Sequence, residues 1–119
     1  MTIEEREELD TLIEKEERII EDILYKMEKK HKDWIMSAEY VTSVYHIWIH
    51  TINPNCSNLI HFSPSRGCRK SDIPMILDDP RFSKTRMFYD GIFREIVDRI
   101  DTETALYRLM YKKILDSIF

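Results

Sequence analysis

Residues 2–32 carry one unbroken amphipathic helical pattern, and its length constrains every fold open to this chain. Thr2 followed three residues later by Glu5 makes a capping box, in which hydroxyl and carboxylate each satisfy a free backbone amide. Glu4, Glu5, Glu7 and Glu8 complement the positive end of the helix dipole, and Lys29, Lys30 and Lys32 the negative end. Glu14–Arg18, Asp22–Lys26 and Glu28–Lys32 stand one turn apart in the favourable order. Thirty residues of helix span roughly 45 Å. A compact chain of 119 residues has a diameter of only about 35 Å. Such a helix must overhang its domain, kink or lie against a second subunit. Ile13, Ile20, Met27 and Trp34 recur every seven residues, a spacing that suits a seam between two copies of the chain. The same stripe also serves as the face a helix turns to its own core.

Beyond residue 32 the punctuation is sparse. Two glycines and four prolines favour helices over tight turns. The length fits one domain, residues 1–119. In residues 37–52, Val41, Val44, Tyr45, Trp48 and Ile52 follow helical spacing, and Pro54 supplies a stop. The same stretch alternates through HIWIH and is rich in β-branched and aromatic residues, so a hairpin at about 44–62 is the second reading. Residues 53–72, rich in Asn, Ser and Pro, read as one long loop. Residues 85–118 read as a helical hairpin, with Asp101 or Thr102 capping its second helix. The expected fold is an all-α bundle of three to four helices with a long central loop, and the alternative is α+β.

Charge is unevenly distributed. Residues 1–28 hold eleven acids against four bases, while residues 66–86 hold six bases against three acids, within a net charge of −4. A chain so polarised suits self-association or an oppositely charged partner and is not basic enough overall to mark a nucleic-acid binder. The acidic start is unlike an export signal, no apolar run is long enough to span a membrane, and two cysteines make no disulfide framework. These features predict a cytoplasmic protein in a reducing compartment. Abundant isoleucine with scarce alanine matches AT-rich coding sequence, as in a virus or phage.

Two groups of residues carry chemistry. His46, His50, Cys56, His61 and Cys68 include the donor types of a zinc site; on a helix His46 and His50 would share one face. They match no standard finger spacing, and their alternative role is as surface imidazoles and small half-buried thiols. The segment SPSRGCRKS offers Ser65, Arg66, Arg69 and Lys70 beside a glycine, a natural anion cradle, and Lys84 and Arg86 add cations downstream. It matches no phosphate-binding NTPase loop, and its cations could simply balance the acidic first helix. No set of nucleophile, base and oxyanion donors can be assembled, so no catalytic residue is assigned. The function expected is therefore a small non-enzymatic interaction or regulatory protein, homo-oligomeric, with a macromolecular partner that is protein rather than nucleic acid, and no cofactor unless zinc. The alternative is a nucleic-acid or phosphate-ligand binder using the basic loop; the second alternative is a metal-dependent hydrolase.

Overall fold

A computed structural model describes residues 1–52, 59–64, 67–69, 72–73 and 75–118. The first helix, α1 (Ile3–Lys30), begins at the expected capping box: Glu5 N–H donates to Thr2 Oγ1 at 3.1 Å and Thr2 N–H to Glu5 Oε1 at 3.2 Å. It ends where His31 leaves helical geometry, its N–H still donating to the Met27 carbonyl. A tight turn follows, with the Trp34 and Ile35 amides both donating to the His31 carbonyl, and it points the chain into a sheet.

The all-α expectation is overturned at this point. Residues 35–51 form two strands, β1 (Ile35–Val41) and β2 (His46–Thr51), and a third, β3 (Leu59–Phe62), lies inside the expected loop. They make an antiparallel sheet in the order β1-β2-β3. The physical reason lies in alternation: Ile47, Ile49 and Thr51 are buried while His46, Trp48 and His50 are half-buried on the other face. A helix would have scattered those three buried positions around its circumference, whereas a strand sends them all inward. Ile60 and Phe62 of β3 continue the same inner layer.

Two short 3₁₀ turns (Met75–Asp78 and Pro80–Phe82) lead into α2 (Ser83–Ile118), one continuous helix instead of the expected hairpin at 85–118. Asp101 and Thr102 do not cap a new helix. The sequence offers no Gly or Pro there to stop the first one. Asp101 instead pairs with Arg108 at 2.9 Å, and the Thr104 hydroxyl donates to the Ile100 carbonyl at 2.6 Å. Thirty-six residues at 1.5 Å each span about 54 Å, matching the long axis of 55 Å.

The two helices run antiparallel on the inner face of the sheet. Lys30 and His31 meet Glu95, Met27 meets Arg99, and Glu16 meets Arg108 and Tyr111, so one number falls as the other rises. Ile23, Leu24 and Met27 of α1 close against Ile47, Ile49, Ile60 and Phe62 of the sheet and Tyr89, Phe93 and Ile96 of α2. Tyr89 keeps its hydroxyl satisfied by donating to the Trp34 carbonyl at 2.7 Å. Among the described residues no helix is long and apolar enough to cross a membrane.

Candidate functional site

Because both helices pack on the inner face, the outer face of the sheet is left to the side chains that alternate with the core. Strand register then decides which of them meet. Trp48 stands opposite His61 on one side and Glu39 on the other, and His50 stands opposite Ser37 and Leu59. The result is a run of ring faces across β2 and β3. His46 and His61 have centroids 5.6 Å apart, and Trp48 and His61 have centroids 5.9 Å apart. His61 is exposed; His46, Trp48 and His50 are half-buried. The Trp48 Nε1–H is buried and finds no acceptor among the described residues. An unpaired buried donor of this kind costs about 1–3 kcal/mol.

The sequence-predicted residues divide sharply. Of the five candidate metal ligands, register brings His46 and His61 side by side. His50 lies four residues from His46 on an extended strand, about 13 Å away. Cys68 sits apart, lining a hollow of about 350 Å³ against α2 with Arg94 and Asp98. Cys56 lies outside the described residues, and among those described no three or more His, Cys, Asp or Glu side chains are placed to share a metal ion. Of the candidate anion ligands, Ser65, Arg66 and Lys70 also lie outside the described residues. Gly67 adopts φ +78°, and its amide is taken by the Ser63 carbonyl at 2.9 Å. Arg69 and Lys84 are exposed. Arg86 is already held by Asp78 at 3.2 Å and Asp90 at 3.0 Å, so its charge is spent on joining the 3₁₀ turn to α2. Of the proposed seam, Ile20 and Met27 are buried in the chain's own core, Ile13 is half-buried, and Trp34 lies beyond the helix, stacked on Phe88 at 4.8 Å.

A second concavity appears where nothing in the sequence marked one. The turn end of the β1–β2 hairpin faces the N-terminal half of α1 and the C-terminal half of α2, leaving a cleft with two adjoining lobes of about 260 and 530 Å³. Tyr40, Tyr45, Tyr111, Glu16 and Leu115 border both lobes. The Tyr111 hydroxyl donates to Glu16 Oε2 at 2.7 Å, and Arg108 bridges Glu16 and Asp101 at 3.4 and 2.9 Å. Burial first, then the charges of Glu16 and Glu17, push the Tyr40 phenol up to about 12. Burial and the bond to Glu16 likewise raise Tyr111. For Arg108 burial opposes the charge, but the hydrogen bonds and charges of Asp101 and Glu16 outweigh it and its pKa rises. Both phenols therefore stay protonated at neutral pH. Tyr45 closes the hairpin turn at φ +52°, a left-handed conformation rare for a bulky side chain, and is 62% exposed.

No protein family, no curated protein and no solved structure matches this chain. The functional reading therefore rests on the geometry above.

Proposed function

We propose that the protein is a non-enzymatic module that binds single-stranded nucleic acid across the outer face of its sheet. The observation that carries this reading is the contiguous array of His46, His61 and Trp48 rings on the face of the sheet opposite its buried core. Unpaired bases stack on such rings, each stacked base contributing about 1–3 kcal/mol, and every base has a face to offer. A duplex hides those faces, so the reading is specific for single strands. The indole of Trp48, with its Nε1–H unpaired, gains an acceptor when it turns to meet a base. β3 runs directly into the basic segment, where exposed Arg69 supplies a phosphate contact. A chain of net charge −4 has no overall attraction for the phosphate backbone beyond its local basic segment, so stacking supplies most of the affinity.

The test is fluorescence anisotropy with a labelled single-stranded oligonucleotide, a duplex of the same sequence, and a salt series. Single-strand binding lost in His61→Ala and Trp48→Ala, with a salt slope reduced by about 0.7 in Arg69→Ala, supports the proposal. Equal affinity for the duplex, or unchanged binding in both ring variants, overturns it.

A second reading, a helix-mediated contact with a protein partner or another copy of the chain, is favoured by a different observation. Leu106, Leu109 and Met110 are 64%, 53% and 38% exposed on the far half of α2. Light scattering on Leu106→Glu decides it: a mass that falls to the monomer supports association there, and an unchanged mass removes it.

A further inference from the structure

The cleft at the hairpin end is a second site with its own chemistry. Its walls come from three elements: Tyr40 and Tyr45 from the hairpin, Glu16 and Glu17 from α1, and Tyr111 from α2. Its floor is apolar, formed by Leu9, Ile13 and Leu115. The larger lobe, about 530 Å³, falls in the range of roughly 300–1,000 Å³ typical of small-molecule sites. We propose that this cleft is an aromatic cage for an organic cation, an alkylated ammonium group held by the faces of Tyr40, Tyr45 and Tyr111 in the field of Glu16 and Glu17.

Three observations lead to a cation and away from an anion or a plain apolar ligand. First, the cleft is acidic on balance. Arg108 and Lys112 do line it, but with Glu16, Glu17, Asp116 and the Asp101 partner of Arg108 the acids outnumber the bases by two. The Arg108 guanidinium is already committed to Glu16 and Asp101 and has little left for an incoming anion. Second, among the described residues no cation of the chain lies over these rings. The cation–π contacts among the described residues are Lys29 over Tyr25 and Arg81 over Phe82, neither of them at the cleft. Ring faces attract cations through their quadrupole, most strongly where the cation sheds water. Third, Tyr45 is held on the rim in strained backbone although little of it is buried. A residue that costs stability without packing in return is a feature expected of a ligand clamp.

Choline and its neutral isostere 3,3-dimethylbutan-1-ol have nearly the same shape and differ in charge, which makes them the deciding pair of probes. Titration of each into the intact chain, followed by the ring resonances of the tyrosines, locates and measures binding together. The expected result is saturable shifts at Tyr40, Tyr45 and Tyr111 with choline and roughly tenfold weaker binding of the isostere. Tyr111→Phe, which keeps the ring and loses the bond to Glu16, retains binding within a few-fold, whereas Tyr111→Leu loses about tenfold. A backbone amide spectrum of each variant shows whether the fold is kept, and Tyr45→Leu, at an exposed position, repeats the test where folding is not at stake. A peptide carrying trimethyllysine is compared with choline: preference for the peptide identifies a modified protein tail as the source of the cation, and preference for choline a small metabolite. Equal binding of the isostere, no saturable shift with either cation, or shifts confined to other tyrosines overturns the proposal.

Discussion

Tyr45→Gly should stabilise the protein although it deletes a large aromatic side chain. The β1–β2 turn places Tyr45 at φ +52°. That region brings the Cβ of an L residue against its own carbonyl and costs about 1–2 kcal/mol, a penalty glycine does not carry. Against this, glycine raises the entropy of the unfolded chain, which costs about 0.4–1 kcal/mol. The ring is 62% exposed, so little packing is lost on removing it. The net expectation is a gain of roughly 0.5–1 kcal/mol. Tyr45→Ala is the essential control, because alanine loses the ring and keeps the Cβ. Urea denaturation should place the glycine variant about 1 kcal/mol above the alanine variant, and thermal unfolding should separate them by about 4 °C. An alanine variant as stable as the glycine variant would refute the argument from strain.

Continuity of α2 is tested by Thr102→Pro: in the middle of a helix it should cost about 3 kcal/mol or more and lower the melting temperature sharply, whereas a hairpin with its turn at Asp101–Thr102 would tolerate it. Ile49→Ala, at a fully buried position of the central strand, should cost about 2–5 kcal/mol by urea denaturation, and a loss below about 1 kcal/mol would contradict the sheet's place in the core. Glu95 carries a pH dependence. The hydrogen bond from Lys30, then that from His31, holds its carboxyl below the ordinary value of 4.5. A depressed folded-state pKa contributes stability that is present above the unfolded value and is lost as pH falls through the folded one. Acid melting curves of Glu95→Gln should therefore lack part of the wild-type fall below about pH 4.5, and identical curves would show that the Lys30–Glu95–His31 contact contributes nothing.

How far the chain can be read in advance differs from one segment to the next. α1 is legible because its cap, its charge gradient and its apolar stripe are local and agree. HIWIH is harder because its residues satisfy two periods, and the partners that settle the matter, β1 and β3, are supplied by long-range pairing. α2 misleads for a different reason: Asp101 and Thr102 are good caps in isolation, yet the core face of Phe93, Ile96, Ile100 and Thr104 continues through them without a break. The ring array was half visible, since an alternating His-Trp-His sequence places three side chains on one face of any strand. Its contact with His61 depends on register, and no local pattern specifies that. The tyrosine cleft gave no warning at all. It joins residues 16, 40, 45 and 111, which only the pairing of the two helices and the packing of the hairpin beside them bring together.

The claim that the outer sheet face binds single strands is tested most directly by the fluorescence of Trp48 in a Trp34→Phe background, where it is the only indole. Stepwise addition of an unlabelled single-stranded oligonucleotide should quench that emission and reach saturation together with binding measured by anisotropy. An oligonucleotide that binds while Trp48 emission stays unchanged, or that does not bind at all, contradicts the claim.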